Sequence, residues 1–206
     1  MSAQAPAEPA ALPLLFLCRH GQTDWNAQGR IQGQRDIPLN DTGRAQAARN
    51  GATLREILGD AVREFDFIAS PLGRTMETMR ILRRNAGLPE EGFSTDARLK
   101  ELHFGEWQGF TLAEMEKREP GAVAARNRDK WNYLPAGAQA ESYGLLARRV
   151  RPVFERLKRP TILVAHGGIT RAFLHLHAGV PQADAAHADI LQDRVLRWQD
   201  GTAVWV

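Results

Sequence analysis

Residues 14–26 of this chain read LLFLCRHGQTDWN, an apolar run that ends abruptly at a cation, an imidazole and a glycine. The run Leu14–Cys18 is short, continuous and apolar, which is typical of a strand covered on both faces of a parallel sheet. Arg19, His20 and Gly21 come directly after it. The stretch therefore predicts a buried strand that carries charged and nucleophilic groups at its carboxyl end.

Two further apolar runs end in the same way. Phe65–Ser70, FDFIAS, is followed by Pro-Leu-Gly and Arg74, and Thr161–Ala165, TILVA, is followed by the segment His166–Gly168. In parallel α/β sheets, ligands bind beyond the carboxyl ends of the strands. We therefore expect all three strand ends to lie on one rim of the sheet.

The residue types at these strand ends suit a dianionic phosphoryl group. Arginine binds phosphate oxygens with a fork of N–H donors, and glycine lets backbone N–H groups approach closely. Taken singly, each residue has a plainer explanation: His20 as a structural histidine, Arg74 as a solvated surface charge, and the Gly167-Gly168 pair as a simple turn. Their joint placement at three strand ends is what favours a phosphoryl site.

Helical patterns alternate with the strands. They run from Thr42, a plausible N-cap, to about Gly59, and then over Leu72–Arg84, Thr111–Arg118, Tyr143–Leu157 and Gly168–Ala178. Pro152, inside the fourth pattern, is expected to kink that helix or to mark its true start. Phe93–Ala97 is a candidate third strand, and Gln199-Asp200-Gly201 predicts a hairpin turn near the end of the chain. The alternation predicts a layered α/β fold with a mostly parallel sheet and an antiparallel edge.

Length and composition favour one globular domain. The chain has 206 residues, of which 43% are hydrophobic and 25% charged, so we expect a single domain over residues 14–206 after a flexible Ala/Pro-rich tail over 1–13. The net charge of +3 is spread along the chain, which argues against a nucleic-acid partner. Without a signal-peptide pattern or a membrane-length apolar stretch, we expect a cytoplasmic protein with no membrane partner. Cys18, the single cysteine, excludes an intramolecular disulfide and is expected to be buried and inert.

Four motifs follow one another along the chain. They are RHGQT (Arg19–Thr23) with Asn26 after it, SPLGRTMET (Ser70–Thr78), ELHFGEWQG (Glu101–Gly109) and AHGGITR (Ala165–Arg171). Together with GRIQGQRDIPLNDTG (Gly29–Gly43), they give the chain a strong resemblance to the histidine phosphatase superfamily, also called the phosphoglycerate-mutase-like family. The resemblance covers about residues 14–171. It implies a three-layer α/β/α sandwich whose central sheet is mostly parallel with an antiparallel edge.

The resemblance also implies a reaction path that uses neither a metal nor a cofactor. His20 would attack phosphorus as a neutral imidazole and become a phosphohistidine. Glu101 would protonate the leaving oxygen and then, as a base, activate the water that cleaves the phosphohistidine. A plainer explanation for Glu101 is a surface carboxylate paired with Lys100, and the GEWQG that follows makes this the weaker interpretation.

The same resemblance implies which residues hold the phosphoryl group. Its oxygens would be bound, and the developing charge stabilised, by Arg19, Arg74 and His166. The rest of the substrate-binding site is expected at Asn26, Gln32, Gly33 and Gly167. The partner is thus a small phosphorylated substrate, and the leaving group would be read by the variable region 107–142.

Three functions are compatible with these motifs. A phosphomonoester hydrolase acting on a small phosphorylated metabolite is the main hypothesis. A phosphoglycerate mutase is the alternative, but mutases of the family carry an adjacent Arg-Arg pair, whereas Asn127 separates Arg126 from Arg128 here, and the Pro-x-Gly-Glu-Ser element is loosened to PAGAQAES (Pro135–Ser142). A catalytically silent phosphate-binding regulatory module is disfavoured, because every core position is filled.

The remaining histidines give weaker signals. His175 and His177 resemble a metal pair, but residues two apart on a helix point in different directions, which favours structural or surface roles. His103 lies close to Glu101 in sequence and is a candidate to face the site. The sequence predicts no metal site and leaves the oligomeric state open, a homo-oligomer included.

Overall fold

The computed structural model describes residues 12–206. Residues 1–11, which make up most of the tail predicted over 1–13, lie outside this range. Leu12 packs against the apolar cluster on one face of the sheet. The description below therefore begins immediately before the first strand.

Residues 12–206 form one mixed sheet of six strands. The strands are β1 (Leu15–Arg19), β2 (Asp66–Ala69), β3 (Ser94–Thr95), β4 (Thr161–Ala165), β5 (Val195–Gln199) and β6 (Thr202–Trp205). Their order across the sheet is β3-β2-β4-β1-β5-β6. The first four of these positions are parallel, and β5 and β6 are antiparallel to their neighbours. The predicted parallel sheet with an antiparallel edge is confirmed.

Helices connect the strands. They are α1 (Asp24–Ala27), α2 (Asp41–Leu58), α3 (Gly73–Asn85), α4 (Leu112–Arg118), α5 (Ala122–Arg128), α6 (Tyr143–Glu155), α7 (Gly167–His177) and α8 (Gln182–His187). Short 3₁₀ turns cover Gly59–Glu64, Ala97–Leu99 and Gly105–Trp107. The structure thus adds α1, α5 and α8 to the helices expected from the sequence.

The sheet lies between two layers of helices. Side chains of a strand alternate between its faces, so Leu15 and Leu17 join one buried cluster while Phe16 and Cys18 join the other. The first cluster is completed by α6 and α7, and the second by α2 and α3. The three-layer sandwich is therefore confirmed. Burial raises the pKa of the Cys18 thiol to about 12, so Cys18 is a neutral core residue.

Two helix boundaries differ from the sequence prediction. The N-cap of α2 is Asn40 and not Thr42, because the Asn40 side chain accepts a hydrogen bond from the Gly43 N–H at 2.9 Å. Pro152 does not mark the start of α6, since Ser142 caps that helix by accepting from the Leu145 N–H at 3.2 Å. Pro152 lies instead inside α6, in its last turn, where the lack of an N–H leaves the Arg148 carbonyl without its helical hydrogen bond.

The predicted hairpin closes the chain. Asp200 and Gly201 have φ values of 48° and 79°, the left-handed pair that a tight two-residue turn requires. β6 therefore folds back on β5, and β5 covers the side of β1 that faces away from β4. This arrangement leaves β1, β2 and β4 in the interior of the sheet, with their carboxyl ends on the same edge.

Candidate active site

A cavity of about 150 Å³ opens at the carboxyl ends of the parallel strands. The cavity wall contains every residue expected in the site except His166. The residues that line the cavity are Arg19, His20, Asn26, Arg30, Ile31, Gln32, Gly33, Arg74, Glu101, Phe104, Gly167 and Arg171. The strand-end argument thus predicted the location, because the parallel strands bring residues distant in the chain to one edge.

His20 is held at the end of β1 in a defined protonation state. Its backbone N–H donates to the Ala165 carbonyl at 3.0 Å, which extends the pairing of β1 with β4. Its Nδ1 lies 2.8 Å from the Gly21 carbonyl oxygen, and because a carbonyl only accepts, Nδ1 carries the proton and Nε2 has a free lone pair. Burial, with the cations of Arg74 and Arg19, lowers the pKa of His20 well below its usual range. The imidazole is therefore neutral at pH 7.

Gly21 allows this turn because no side chain fits there. A Cβ at Gly21 would lie 2.2 Å from the Gly43 carbonyl oxygen, and a Cβ at Gly43 would lie 2.1 Å from the Gln22 carbonyl oxygen. The turn after β1 and the first turn of α2 are thus in direct backbone contact. The glycine of the RHG motif is explained by this close approach.

Two buried arginines flank His20. Arg74 is 1% exposed, and it donates to the Arg35 carbonyl at 2.6 Å and to the Gly33 carbonyl at 2.8 Å. Arg19 donates to the Ile190 carbonyl at 2.9 Å. Within residues 12–206, the buried Nε atoms of both arginines have no hydrogen-bond partner. The cavity therefore presents two anchored cations with unused donors, which is what an anion requires.

The charge of Arg19 is incompletely compensated. Burial, and then the neighbouring cation of Arg171, lowers the pKa of Arg19 to about 10. Burial also lowers the pKa of Arg74, although the carboxylates of Glu101 and Asp36 oppose this shift. A bound dianion would relieve both penalties.

His166 lies beneath the cavity and not in its wall. It is fully buried, and its ring centroid is 5.3 Å from that of His20. Its Nδ1 is 3.3 Å from an Arg74 Nη and its Nε2 is 2.8 Å from the Ser70 hydroxyl oxygen. Because a guanidinium only donates, Nδ1 accepts and the proton resides on Nε2. Burial and the Arg74 cation lower the pKa of His166 well below its usual range. In this structure it supports Arg74, and direct contact with substrate stays a prediction.

Glu101 faces the cavity from the loop after the second 3₁₀ turn. Its carboxylate accepts hydrogen bonds from the Leu102 N–H at 2.9 Å and the Gly168 N–H at 3.1 Å. The Gln34 side chain donates to its backbone carbonyl at 3.0 Å. Glu101 lines the same cavity as His20, which suits a group that exchanges a proton with a leaving oxygen or a water.

The amide residues of the site are held by local capping. Thr23 caps α1, and the Thr23 N–H donates to Asn26 Oδ1 at 3.2 Å. Gln192 donates to the same Oδ1 at 3.2 Å and to the His20 carbonyl at 3.0 Å. Because Oδ1 is used as an acceptor, the Asn26 NH₂ group is left to donate into the cavity. Gln32 is 7% exposed, and its Oε1 atom has no partner among the described residues.

Sequence reasoning missed several members of the site. Arg30, Ile31, Phe104 and Arg171 line the cavity but were not named as site residues. Arg171 had a usable signal, since it lies one helical turn after Gly167 on the same face of α7. Gln192 had none, because it follows α8 in a segment without a motif.

The other histidines have contacts of their own. His103 lies outside the cavity wall, and its Nδ1 accepts from the Gly105 N–H at 3.1 Å. His175 packs edge-on against Trp131 at 4.7 Å, and His177 packs between Phe154 and Phe173. Over residues 12–206, no group of three or more His, Cys, Asp or Glu side chains is arranged to hold a metal ion.

Further cations continue outward from the cavity. Phe104 separates it from a smaller hollow lined by Arg126 and Lys130. Burial, reinforced by the cations of Arg171 and Arg126, lowers the pKa of Lys130 to about 7. Glu141, the carboxylate in the wall of the hollow, is paired with Arg149 at 2.7 Å. An anion bound near these cations would therefore be stabilised by them.

Comparison with known proteins agrees with this geometry. A family profile described as the histidine phosphatase superfamily (branch 1) matches residues 15–205. Among curated proteins, a glucosyl-3-phosphoglycerate phosphatase of Mycolicibacterium vanbaalenii is 36% identical, over 81% of this chain and 75% of that protein. A metal-independent phosphoserine phosphatase of Arabidopsis thaliana is 34% identical, over 84% of this chain and 70% of that protein.

Solved structures give the same result. The native structure of a mycobacterial glucosyl-3-phosphoglycerate phosphatase superimposes with a TM-score of 0.75 and 32% identity, covering 91% of this chain and 90% of that one. Within residues 12–206, no helix combines the length and the apolar character that crossing a bilayer requires.

Proposed function

Because the chain belongs to the histidine phosphatase superfamily, we propose that its phosphomonoester hydrolase activity proceeds through a phosphohistidine on His20 and acts on a small phosphorylated metabolite. The observation that carries the proposal is the state of His20. It is a neutral imidazole with its proton on Nδ1, placed beside two buried guanidinium groups that have unused donors. A nucleophile and an anion site therefore share one cavity.

The first step is transfer of the phosphoryl group to His20. The free lone pair of Nε2 forms a bond to phosphorus while the bond from phosphorus to the ester oxygen breaks. Arg19 and Arg74 stabilise the charge on the phosphoryl oxygens, and they are already oriented by their carbonyl contacts, so little reorganisation is needed. Glu101 donates a proton to the departing oxygen, since an alkoxide is a poor leaving group.

The second step returns the enzyme to its starting state. The Glu101 carboxylate takes a proton from a water molecule, the water oxygen attacks phosphorus, and the bond between phosphorus and Nε2 breaks. Inorganic phosphate leaves, His20 is again neutral, and the proton that Glu101 takes from water replaces the one it gave in the first step. The Asn26 amide and the Gly167 backbone line the same cavity and complete the set of donors.

The test is hydrolysis of p-nitrophenyl phosphate in the presence of EDTA. We expect turnover in the wild type and its loss in His20→Ala, with His187→Ala, an exposed histidine, as the matched control that retains activity. Labelling with a ³²P substrate should give an acid-labile adduct that His20→Ala lacks. No adduct and no hydrolysis of any phosphomonoester in the wild type would contradict the proposal.

The phosphoglycerate mutase alternative is less supported. The relatives described above are phosphatases by name, and Asn127 interrupts the Arg-Arg pair that mutases carry. Exchange of phosphate between phosphoglycerates without release of inorganic phosphate would reverse this ranking. A silent phosphate-binding module would bind phosphate but form no labelled adduct.

We further propose that the substrate carries a second anionic group. Arg171 lines the cavity, and its charge, together with that of Arg126, is close enough to Lys130 to lower the pKa of that lysine. The phosphoglycerate and phosphoserine named for the two relatives both contain a carboxylate, an anion that the cations beside the cavity would stabilise.

This second site has its own test. We expect kcat/KM for phosphoserine or phosphoglycerate to exceed that for an uncharged alkyl phosphate, and Lys130→Met to reduce that preference by about tenfold, the effect of losing one charge-assisted contact. Lys117→Met, an exposed lysine on α4, is the control. An unchanged preference in Lys130→Met would remove the hollow from the substrate site.

A further inference from the structure

Arg149, on α6, forms hydrogen bonds with the segment of chain that carries Glu101. Its guanidinium donates to the backbone carbonyls of Arg98 at 2.5 Å, Lys100 at 3.0 Å and Glu101 at 3.4 Å. The Arg149 side chain thus holds the backbone on both sides of Lys100, the residue that precedes Glu101. The segment has no strand or α-helix of its own to fix it, since it follows the short 3₁₀ turn Ala97–Leu99.

Glu141 fixes the guanidinium in this position. Arg149 Nε donates to Glu141 Oε1, and an Arg149 Nη donates to Oε2, both at 2.7 Å. This two-pronged pairing sets the plane of the guanidinium. Glu141 also holds the far side of the segment, because its N–H donates to the His103 carbonyl at 2.8 Å and its Oε2 accepts from the His103 N–H at 3.1 Å.

The pair is sheltered from solvent but does not enter the cavity. The side chains of Arg149 and Glu141 are 23% and 18% exposed, and Arg149 is not part of the cavity wall. The carboxylate of Glu101 is placed by two backbone N–H groups, one from Leu102 in the gripped segment and one from Gly168 in α7. A shift of the segment relative to α7 would therefore break this placement.

We propose that Arg149 is a positioning residue for the proton transfer at Glu101 and that Glu141 holds Arg149 in place. The inference rests on the proposed function, because it takes Glu101 as the group that protonates the leaving oxygen. In that step the bond between His20 Nε2 and phosphorus forms, the ester bond breaks, and the Glu101 proton passes to the ester oxygen. Arg149 touches none of these atoms, so its contribution to the proton transfer comes through the position of Glu101.

Leaving-group dependence separates this role from a purely structural one. A 2,4-dinitrophenolate departs without a proton, whereas an alkoxide needs one, so only alkyl esters should depend strongly on a well-placed acid. The quantity to measure is kcat/KM, which reports the reaction up to release of the alcohol and excludes hydrolysis of the phosphohistidine. We expect Arg149→Met to lower kcat/KM about 10- to 100-fold for an alkyl phosphate, and less than about threefold for 2,4-dinitrophenyl phosphate.

Three variants complete the experiment. Arg148→Met, at the exposed neighbouring position of α6, should match the wild type on both esters. Glu101→Gln should give the same selective loss as Arg149→Met, and a larger one. Glu141→Gln keeps the shape of the pair and removes its charge, so it should give a smaller selective loss and serves if Arg149→Met does not fold.

The outcomes distinguish the inference from the function it rests on. Equal losses on both esters in Arg149→Met and Glu141→Gln, beside a selective loss in Glu101→Gln, would overturn the positioning role alone. Equal losses in Glu101→Gln as well would overturn the proton-transfer role of Glu101. Hydrolysis of 2,4-dinitrophenyl phosphate that His20→Ala abolishes would still support the phosphohistidine path.

Discussion

Single residues of the site are fitted to their neighbours with little free space, and Gly168 is the sharpest case. A Cβ at Gly168 would lie 2.2 Å from Glu101 Oε1, while the Gly168 N–H donates to the other oxygen of the same carboxylate at 3.1 Å. A side chain here and Glu101 in its observed place exclude each other. Gly168, the second glycine of AHGG, is therefore explained by its close approach to the Glu101 carboxylate and not by a simple turn.

This contact predicts the behaviour of Gly168→Ala. The obstructing atom is the end of a flexible side chain, so Glu101 moves while the fold persists, and the gain in helix propensity offsets part of the crowding. We expect kcat/KM for an alkyl phosphate to fall about 10- to 100-fold, with the free energy of unfolding changed by less than about 1 kcal/mol.

Gly144→Ala is a matched control, because Gly144 holds the equivalent position in the first turn of α6 and its nearest outside atom would be 3.5 Å away. Steady-state kinetics and urea unfolding of both variants decide the matter. Full activity in Gly168→Ala would mean that Glu101 has a second productive position, against the assignment made here.

At the scale of elements, the site depends on how closely α2 and α3 approach each other. A Cβ at Gly51 of α2 would lie 2.3 Å from the Leu82 carbonyl oxygen of α3. Here the obstructing atom belongs to the backbone and has no rotamer to change. The two helices cover one face of the sheet, and α3 carries Arg74 in its first turn. The absence of a side chain at Gly51 thus allows α3 to hold Arg74 in its observed position in the cavity.

Gly51→Ala should accordingly be costly, although alanine is the better helix former. We expect the free energy of unfolding to fall by about 1–3 kcal/mol, the usual effect of overpacking a core. The measurement is the urea midpoint, with Ala52→Ser, on the exposed side of the same turn, as the control. A midpoint equal to that of the wild type would show that the helices separate without cost.

Some elements of the fold could be predicted from the sequence, and others could not. β1, β2, β4 and the final hairpin were predictable, because continuous apolar runs and an Asp-Gly turn are local signals. The carboxyl ends of β1, β2 and β4 then placed His20, Arg74 and Gly167 around one cavity, whereas Glu101 was predicted only from the family resemblance. α5 and α8 were not predictable, since each is short and lies in a polar region. The roles of Arg149 and Gln192 left no signal either, because both act mainly on backbone carbonyls, which every residue has.

At the scale of the whole molecule, two buried histidines make the free energy of unfolding depend on pH. Burial and the Arg74 cation lower the pKa of both His20 and His166 well below the usual range. The unfolded chain takes up protons at these residues near pH 6.5, and the folded protein does so only at lower pH. Between those two values the unfolded state binds more protons, so the free energy of unfolding falls as the pH is lowered.

The predicted size of the effect is measurable by urea unfolding at pH 7.0 and pH 5.5. The two histidines together should cost about 2.5 kcal/mol over this interval. His20→Gln should remove about half of that loss, whereas His103→Gln, which alters a histidine outside the cavity wall, should leave most of it in place. An identical pH dependence in His20→Gln and the wild type would mean that His20 is charged in the folded protein.

The position of β4 in the sheet has a consequence for how the protein is made. β1 and β2 do not pair with each other, because β4 lies between them and bonds to both. β4 begins only at Thr161, so a chain emerging from the ribosome lacks the central partner of its sheet until most of its length has been synthesised. Nascent chains that end before Thr161 should therefore remain protease-sensitive and unable to retain phosphate. In this topology the capacity to bind ligand arrives late, and it arrives together with the completed fold.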